Sequence, residues 1–476
     1  MSLPHLHWTI KDAATALAKQ EFSSAELVED YLTRGEQRND ELNAYLTFMP
    51  EEARAAAAAS DERRSRGEAL SVLDGIPVAI KDNLLTKGTR TTGGSNILSK
   101  YIAPYDATVV ARLRDAGAVI IGKTNLDEFG MGGSTENSAY GPSKNPLDLT
   151  RVSGGSSGGN GSALAADLCI GSLGTDTGGS VRLPASFCGV VGFKPTYGRV
   201  SRYGAIAMAS SLDQVGPMTK TVEDAALMFE LIQGQDAQDQ TTRPTQPLTF
   251  DSAEGIDRLK IGLPKQAWSQ GGIEPGVRKA LEEGMKRYER LGVEFVEVDL
   301  PYMNEALAVY YIIMPCEVSS NMARFDGIRY GNRAQHERLL DVYLDSRAKG
   351  LGEEVRRRIL IGTYALSKGY YDAYYVKARQ VQAEIRRAYA KAFEQVDLLM
   401  TPTSPTVAFK IGEKAADPLA MYLQDVFTVS VSVAGLPAIS LPCGQSEGLP
   451  VGMQLTGPHM GDDLVLAAAH AFERLA

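Results

Sequence analysis

Short apolar runs alternate with helix-forming stretches after Leu73, and this alternation limits the chain to few fold classes. Residues 76–80 and 118–121 have the length and apolar composition of buried strands, and residues 106–116 between them have the pattern of a helix. Buried strands that alternate with helices are typical of α/β proteins. The sequence therefore predicts an α/β core with a largely parallel sheet.

The chain divides into a helical beginning and a longer α/β domain. Ser23 and Glu26 have the spacing of a helix capping box, and an alanine-rich, helix-prone stretch follows. We therefore expect residues 1–70 to form a helical region packed on an α/β domain of residues 71–476. Within that domain, residues 255–395 hold a strand–helix unit and long helices, and we expect this insertion to cover the functional site.

Residues 130–204 are dominated by glycine, serine and threonine. This stretch is too long for a linker, and apolar segments at residues 163–170 and 190–193 interrupt it. Glycine loops between packed elements let the backbone approach a ligand closely. The glycine excess, 47 of 476 residues, therefore predicts that loops of this stretch line a site.

Charge and hydropathy exclude several classes of protein. The formal net charge of -9 disfavours nucleic-acid binding as the main role. No apolar run approaches the ~18 residues of a membrane helix, and Lys11 and Asp12 stand where a secretory leader needs apolar residues. The cysteines lie far apart, as expected of reduced thiols and not of disulfides or a metal site: Cys169, Cys188, Cys316 and Cys443. We therefore expect a cytoplasmic protein without a membrane span or a metal.

Two short motifs suggest functions that their surroundings disfavour. Residues 117–124 match the phosphate-binding pattern G-x4-G-K-[ST], but the variable positions are themselves strand-like, whereas a phosphate loop needs them in a loop. Residues 154–158 match G-x-S-x-G, which usually belongs to a Ser-His-Asp triad. None of the five histidines lies in the glycine-rich centre, so this triad is disfavoured as well.

A different catalytic group remains: Lys81, the pair Ser156 and Ser157, and Ser180. Serine is a weak nucleophile and needs a base. Where histidine is scarce, lysine can be that base if desolvation keeps it neutral. Lys81 ends an apolar strand and is therefore a candidate, although a lysine at a strand end is commonly exposed to solvent. Backbone N–H groups from Thr177 onward fit an oxyanion hole, because glycines let the chain curve around it.

Three segments resemble the amidase signature family: GIPVAIKD at 75–82, GGSSGG at 154–159 and GTDTGGSVRLP at 174–184. The resemblance implies the fold of that family, a central mixed, mostly parallel, twisted sheet flanked by helices on both faces. It also implies that Ser180 is the nucleophile, Ser156 the proton relay and Lys81 the base.

The same resemblance implies roles for neighbouring residues. The family has a cis peptide bond before Ser156, and Ser157 and Asp176 would orient the relay. For the oxyanion hole, which requires N–H donors, we expect three successive residues of the glycine loop to supply them: Thr177, Gly178 and Gly179.

The resemblance extends over essentially the whole chain. Residues 319–331, 362–375 and 425–442 resemble the branch of the family that forms the A subunit of tRNA-dependent glutamine amidotransferases. This implies a glutaminase that supplies ammonia and holds no cofactor of its own. The implied partners are a kinase-type, tRNA-binding B subunit, which amidates Glu-tRNA(Gln) or Asp-tRNA(Asn) with ATP and Mg²⁺, and a small C subunit. The misacylated tRNA would meet this chain only indirectly.

A free glutamine molecule needs a partner for each charged end. Arginine suits the α-carboxylate and a carboxylate suits the α-ammonium. The resemblance assigns these roles to Arg358 and Asp425, with Tyr311 nearby and the loop of Met131 and Gly132 adding backbone contacts. The choice among the arginines at 356–358, and between the tyrosines at 310 and 311, stays open.

Two alternative functions remain. The chain is alternatively a stand-alone amidase of the same family that acts on another small amide, or a catalytically silent scaffold, which the joint presence of lysine and two serines disfavours. The preference between the two tRNAs, the ammonia path and the stability without partners are open as well.

Overall fold

In the computed structural model, which describes residues 7–250, 256–269 and 272–475, strands from both halves of the chain form one mixed sheet. Parts of the predicted regions lie outside the described residues. Among them are the first six residues of the predicted helical region, residue 255 at the start of the predicted insertion, and residue 476. The strands are β1 Tyr45–Phe48, β2 Pro77–Lys81, β3 Val119–Thr124, β4 Lys144–Asn145, β5 Asp148–Val152, β6 Gly171–Asp176, β7 Val191–Lys194, β8 Gln214–Thr219, β9 Lys260–Pro264, β10 Glu294–Val298, β11 Leu398–Pro402, β12 Ala438–Ser446 and β13 Leu449–Thr456. Of these, β4 and β5 pair with each other in a separate two-stranded sheet, and the other strands form the large sheet.

Helices flank this sheet, and shorter 3₁₀ turns connect several of them. The helices are α1 Ile10–Ala18, α2 Ser24–Leu42, α3 Pro50–Ser65, α4 Thr108–Asp115, α5 Gly158–Ala165, α6 Arg182–Cys188, α7 Val222–Ile232, α8 Lys265–Trp268, α9 Pro275–Glu289, α10 Ala306–Asn321, α11 Leu339–Gly350, α12 Glu353–Ala365, α13 Lys377–Ala392, α14 Pro418–Tyr422, α15 Val426–Ala434 and α16 Asp462–Glu473. The 3₁₀ turns are Asn96–Leu98, Glu128–Gly130, Ile256–Arg258, Met322–Arg324 and Leu423–Asp425, and Asp372–Val376 is π-helical.

Parallel pairing occupies two parts of the large sheet. β2 is parallel to both of its neighbours, β3 and β6, and β9 is parallel to β10 and β11. β1 pairs antiparallel with β3, and the central run β6-β8-β7-β12-β13-β11 is antiparallel throughout. Only Glu447 and Gly448 separate β12 from β13, and a two-residue turn permits only antiparallel pairing. The predicted α/β class and mixed sheet are confirmed, with the parallel character confined to these two parts.

The beginning of the chain is tied to the sheet. Ser23 caps α2, and its reciprocal hydrogen bonds with Glu26 form the predicted capping box. Between α2 and α3, β1 adds an edge strand to β3. The region of residues 1–70 therefore contributes both helices and one strand, within the described residues 7–70.

The segment that matches the phosphate-binding pattern is a strand. β3 is buried along its whole length, and Nζ of Lys123 lies 3.2 Å from Oδ1 of Asp82 and donates to the carbonyl oxygen of Leu84. Its lysine is thus paired inside the protein, so the rejection of a phosphate loop is confirmed.

The region predicted as an insertion has two parts. β9 and β10 extend the large sheet beyond β11, with α9 between them in the chain. The long helices α10 and α12 pack on each other, and α10 also packs on α13 and α15. Among the described residues, no helix combines the length and apolar character needed to cross a membrane.

Candidate active site

The side chain of Lys81 lies inside the protein at the carboxyl end of β2. Nζ donates hydrogen bonds to Oγ of Ser156, at 2.8 Å, and to Oγ1 of Thr175 on the neighbouring strand β6, at 2.9 Å. Lys81 is 0% exposed, so the alternative of a strand-end lysine in solvent is wrong. The lysine therefore has one defined contact to a serine hydroxyl.

Burial makes the protonated form of this lysine a stronger acid than an ordinary lysine side chain. Desolvation lowers the pKa of Lys81 to about 7, against the opposing charges of Asp127, Asp176 and Asp213. Near neutral pH a large fraction of the side chain is then uncharged and carries a free lone pair. A neutral amine 2.8 Å from a hydroxyl is placed to accept its proton.

The two adjacent serines join the two glycine loops. The peptide bond between Gly155 and Ser156 is cis, as the resemblance implies. Ser157 donates from its N–H to the carbonyl oxygen of Ser180, at 3.1 Å, and from its hydroxyl to the carbonyl oxygen of Thr175, at 3.2 Å. Ser156, Ser157 and Ser180 thus belong to one hydrogen-bonded unit.

Asp176 holds the turn that presents Ser180. Its carboxylate accepts hydrogen bonds from the guanidinium of Arg182, at 2.9 Å, and from the N–H of Val181, at 3.1 Å. Burial raises the pKa of Asp176, but Arg182, Lys194 and the N–H of Val181 together keep that pKa below its ordinary value. Asp176 therefore acts on the turn between β6 and α6, which carries Ser180.

The predicted oxyanion loop is held by two threonine side chains, one of its own and one from α15. Oγ1 of Thr177 donates to Asp213, at 2.7 Å, and the carbonyl oxygen of Gly178 accepts from Thr428, at 2.6 Å. Gly179 has a φ of 148°, and a Cβ there would lie 2.3 Å from Oγ1 of Thr428. Within the described residues, no backbone acceptor pairs with the N–H groups of residues 177–179. They are available to a developing oxyanion.

A cavity of about 150 Å³ has both cationic and anionic side chains in its wall. Arg358 and Asp425 line it, together with Tyr311 and Gly132. The guanidinium of Arg358 lies over the ring of Tyr311, with its carbon 5.4 Å from the ring centroid. Oδ1 of Asp425 lies 3.3 Å from the position of a Cβ on Gly179. The cavity therefore adjoins the loop that carries Ser180.

Glu354 and Tyr422 orient the side chain of Arg358 in this cavity through hydrogen bonds. Nε of Arg358 donates to Oε1 of Glu354, at 2.8 Å, and the hydroxyl of Tyr422 donates to the same oxygen, also at 2.8 Å. Burial raises the pKa of Glu354, but Arg358, Tyr422 and Arg357 together bring that pKa below its ordinary value. With Nε occupied and Nη1 donating to Sδ of Met314, at 3.7 Å, Nη2 of Arg358 is left to face a ligand.

The family model for amidases matches residues 26–466. This chain belongs to the amidase family. It is 53% identical, over 98% of its length and 96% of the relative's, to the A subunit of the glutamyl-tRNA(Gln) amidotransferase of Caldanaerobacter subterraneus subsp. tengcongensis. The corresponding protein of Desulfatibacillum aliphaticivorans is 50% identical over the same shares.

Solved structures agree with this amidase in fold. The crystal structure of the glutamyl-tRNA(Gln) amidotransferase A subunit from Thermotoga maritima has a TM-score of 0.82 and 42% identity, and the match covers 100% of this chain and 96% of that one. The peptide amidase from Stenotrophomonas maltophilia has a TM-score of 0.85 and 28% identity, with 99% and 97% covered. The resemblance to the amidase signature family is confirmed.

Some of the remaining residues predicted to bind the substrate line the cavity of this amidase, and others do not. Tyr311 lines the cavity, whereas the ring of Tyr310 packs 2.8 Å from the position of a Cβ on Gly178. Arg357 and Arg358 both reach the cavity lining. The side chain of Met131 is not brought there: it is buried in the apolar core.

Sequence reasoning missed two residues of this amidase's cavity, Glu354 and Tyr422. Glu354 precedes Arg358 by four positions, a spacing that favours a helical ion pair and was an available signal. Tyr422 has no such local signal, because it reaches Glu354 from 68 positions away. In the described part of the chain, no group of three His, Cys, Asp or Glu side chains is arranged to hold a metal ion.

Proposed function

We propose that this amidase is the glutamine-hydrolysing A subunit of a tRNA-dependent amidotransferase. The observation that carries the proposal is the cavity in which Arg358 and Asp425 lie beside the loop of Ser180. A free α-amino acid has one anionic and one cationic group, and this wall has a partner for each. Relatives about half identical over nearly the whole chain bear the name of that subunit.

The hydrolysis begins with Ser180. Its Oγ attacks the side-chain amide carbon of glutamine, its proton passes to Oγ of Ser156, and the proton of Ser156 passes to neutral Nζ of Lys81. The negative oxygen of the tetrahedral intermediate accepts hydrogen bonds from N–H groups of residues 177–179, where one such donor contributes about 3 kcal/mol.

The leaving group then takes the proton back. The C–N bond breaks, and the departing nitrogen receives a proton from Lys81 through Ser156, which gives ammonia and a glutamyl ester on Ser180. Water attacks the ester, transfers a proton along the same relay and releases glutamate. Ser180 and neutral Lys81 are regenerated, so the relay needs no cofactor in this chain.

Substrate recognition divides between the two charged residues. Arg358 pairs with the α-carboxylate of glutamine, and Asp425 with the α-ammonium. Burial raises the pKa of Asp425 to about 8, against the opposing charge of Arg358. A bound ammonium adds a second positive charge and favours the ionised carboxylate.

The ammonia is consumed by other subunits in this proposal. A kinase-type B subunit uses ATP and Mg²⁺ to activate Glu-tRNA(Gln) or Asp-tRNA(Asn), and a small C subunit completes a heterotrimer in the cytoplasm. The net charge of -9 on this chain supports placing the main tRNA contacts on the B subunit.

Reconstitution with the two partner subunits tests the proposal. We expect ammonia release from glutamine, its loss in Ser180→Ala, and amidation of one or both misacylated tRNAs by the complex. Absence of a stable complex and of amidation, with hydrolysis of simple amides by the chain alone, would establish a stand-alone amidase instead. Absence of ammonia release from any amide in the wild-type complex would favour a scaffold.

A further inference from the structure

The carboxylate of Glu128 connects the core to a helix far away in the chain. Glu128 is 2% exposed, and its Oε2 accepts a hydrogen bond from the N–H of Gly352, at 2.8 Å. The hydroxyl of Ser95 donates to Oε1 and lies 3.2 Å from the carbonyl oxygen of Gly350. Residues 95 and 128 of the core thus hold the segment that leads into α12.

Gly352 is the residue at which α12 begins. It is the N-cap of the helix, so its partner lies at the positive end of the helix dipole, where a carboxylate is favourable. The approach is close: a Cβ on Gly352 would lie 2.3 Å from Oε2 of Glu128. The start of α12 therefore depends on where the carboxylate of Glu128 lies.

The helix that begins at Gly352 carries the cationic wall of the cavity. Glu354 and Arg358 both lie on α12, and their 2.8 Å hydrogen bond links Arg358 to the first turn. A displacement of the N-terminus of α12 therefore moves the guanidinium of Arg358 with it.

The opposite wall begins at Glu128 itself. Glu128 opens the 3₁₀ turn Glu128–Gly130, and its carbonyl oxygen accepts from the N–H of Met131, at 2.9 Å. Gly132 and Gly133, which follow directly, line the same cavity as Arg358. One residue thus contacts both walls, through its backbone on one side and its carboxylate on the other.

We propose that Glu128 is a positioning residue that fixes Arg358 relative to the glycine loop and thereby sets the affinity for the α-carboxylate of the substrate. The inference rests on the proposed function, since it takes glutamine as the substrate. Glu128 contacts neither the reacting amide nor the relay, so its loss weakens ground-state and transition-state binding equally. Such a loss raises KM and leaves kcat unchanged.

The test compares glutamine with 4-aminobutanamide, which is glutamine without its α-carboxylate. Ammonia release is measured for the assembled complex with Glu128→Asp, whose side chain is one methylene too short to reach Gly352. We expect KM for glutamine to rise about tenfold, as for a weakened charge-assisted hydrogen bond. We expect kcat for glutamine, and kcat/KM for 4-aminobutanamide, to stay within about twofold.

Two further variants separate positioning from general destabilisation. Glu128→Gln keeps an oxygen that accepts from Gly352, so we expect KM to return close to the wild-type value. Glu473→Asp is the matched control. Glu473 accepts from the N–H of Val222, at 3.0 Å, and burial raises its pKa to about 7, as it does for Glu128, but Glu473 links α16 to α7 outside the cavity. We expect this control variant to leave both substrates unchanged.

Equal losses on both substrates in Glu128→Asp, or an unchanged KM for glutamine, would overturn the proposal. A crystal structure of the same variant decides the question independently of turnover: α12 displaced from the loop of Gly132 supports it, and α12 in its wild-type place refutes it. A wild-type complex that releases no ammonia from glutamine would count against the proposed function, and the crystallographic result would still decide the role of Glu128.

Discussion

Lys81 and Lys194 are both buried lysines whose pKa desolvation lowers to about 7, yet only Lys81 contacts a serine hydroxyl. Nζ of Lys194 donates to the carbonyl oxygen of Pro195, at 3.1 Å. A carbonyl has no proton to give, whereas the hydroxyl of Ser156 has one. Burial therefore favours the neutral amine at both Lys81 and Lys194. Only Lys81 lies next to a hydroxyl from which it can accept a proton.

Replacement of Lys81 by methionine tests that selection. Methionine fills a similar volume but accepts no proton, so we expect kcat for ammonia release to fall about 10²–10⁴-fold, the usual contribution of a positioned base. Lys194→Met is the control, and we expect its kcat to stay within about threefold because Lys194 does not touch the relay. Similar losses of kcat in both variants would show that Lys81 contributes to the stability of the fold, as Lys194 does, and not as a base.

The pH dependence of kcat/KM for glutamine follows from two groups that must lose a proton. Lys81, with a pKa of about 7, acts as a base when neutral, and Asp425, with a pKa of about 8, binds the ammonium when ionised. We therefore expect kcat/KM to rise with pH through both values and to fall again at higher pH, where free glutamine loses the α-ammonium proton that Asp425 recognises. Titration of ammonia release in steady state measures the profile.

Asp425→Asn separates the two groups. The variant has no titrating carboxyl at this position, so we expect its profile to keep the rise near 7, from Lys81, and to lose the rise near 8. Glutaramate, which is glutamine without its α-amino group, makes the same comparison in the wild type, because it needs no anionic partner. A rise near 8 that persists in both cases would assign that titration to another group.

Patterns of neighbouring residues in the sequence predicted the loops of the candidate site. Contacts between residues far apart in the chain could not be predicted from such patterns. The glycine loops and the buried strand that ends at Lys81 are read from neighbouring residues, and the structure brings Lys81, Ser156 and the turn of Ser180 together as expected. Glu128 could not be predicted, because its partner Gly352 lies 224 positions away. Within the antiparallel centre of the sheet, the pairing of β7 with β12 was hidden for the same reason, since these two strands are distant in sequence.

Gly179→Ala is expected to abolish most activity. A Cβ at this position would lie 2.3 Å from Oγ1 of Thr428, and the φ of 148° disfavours any side chain. The loop must shift, and with it the N–H donors of the oxyanion hole, so we expect kcat to fall about 100-fold or more. Gly412→Ala is the control, because Gly412 also has a positive φ but no atom within 4 Å of its Cβ position. Equal activity of the two variants would refute the assignment of the loop.

The buried ion pair of Asp176 and Arg182 is expected to stabilise the fold as well as the Ser180 turn. Both side chains are 0% exposed and lie 2.9 Å apart, so Asp176→Asn leaves a buried guanidinium without its counter-charge. Loss of one partner of such a pair costs about 3–5 kcal/mol, which equilibrium denaturation of the chain measures directly. Glu283→Gln removes one partner of the exposed pair with Lys286, where solvent screens the charges, and we expect no measurable change. If Asp176→Asn unfolds at the wild-type denaturant concentration, the turn is held by its backbone hydrogen bonds and the charge of Asp176 is not needed for it.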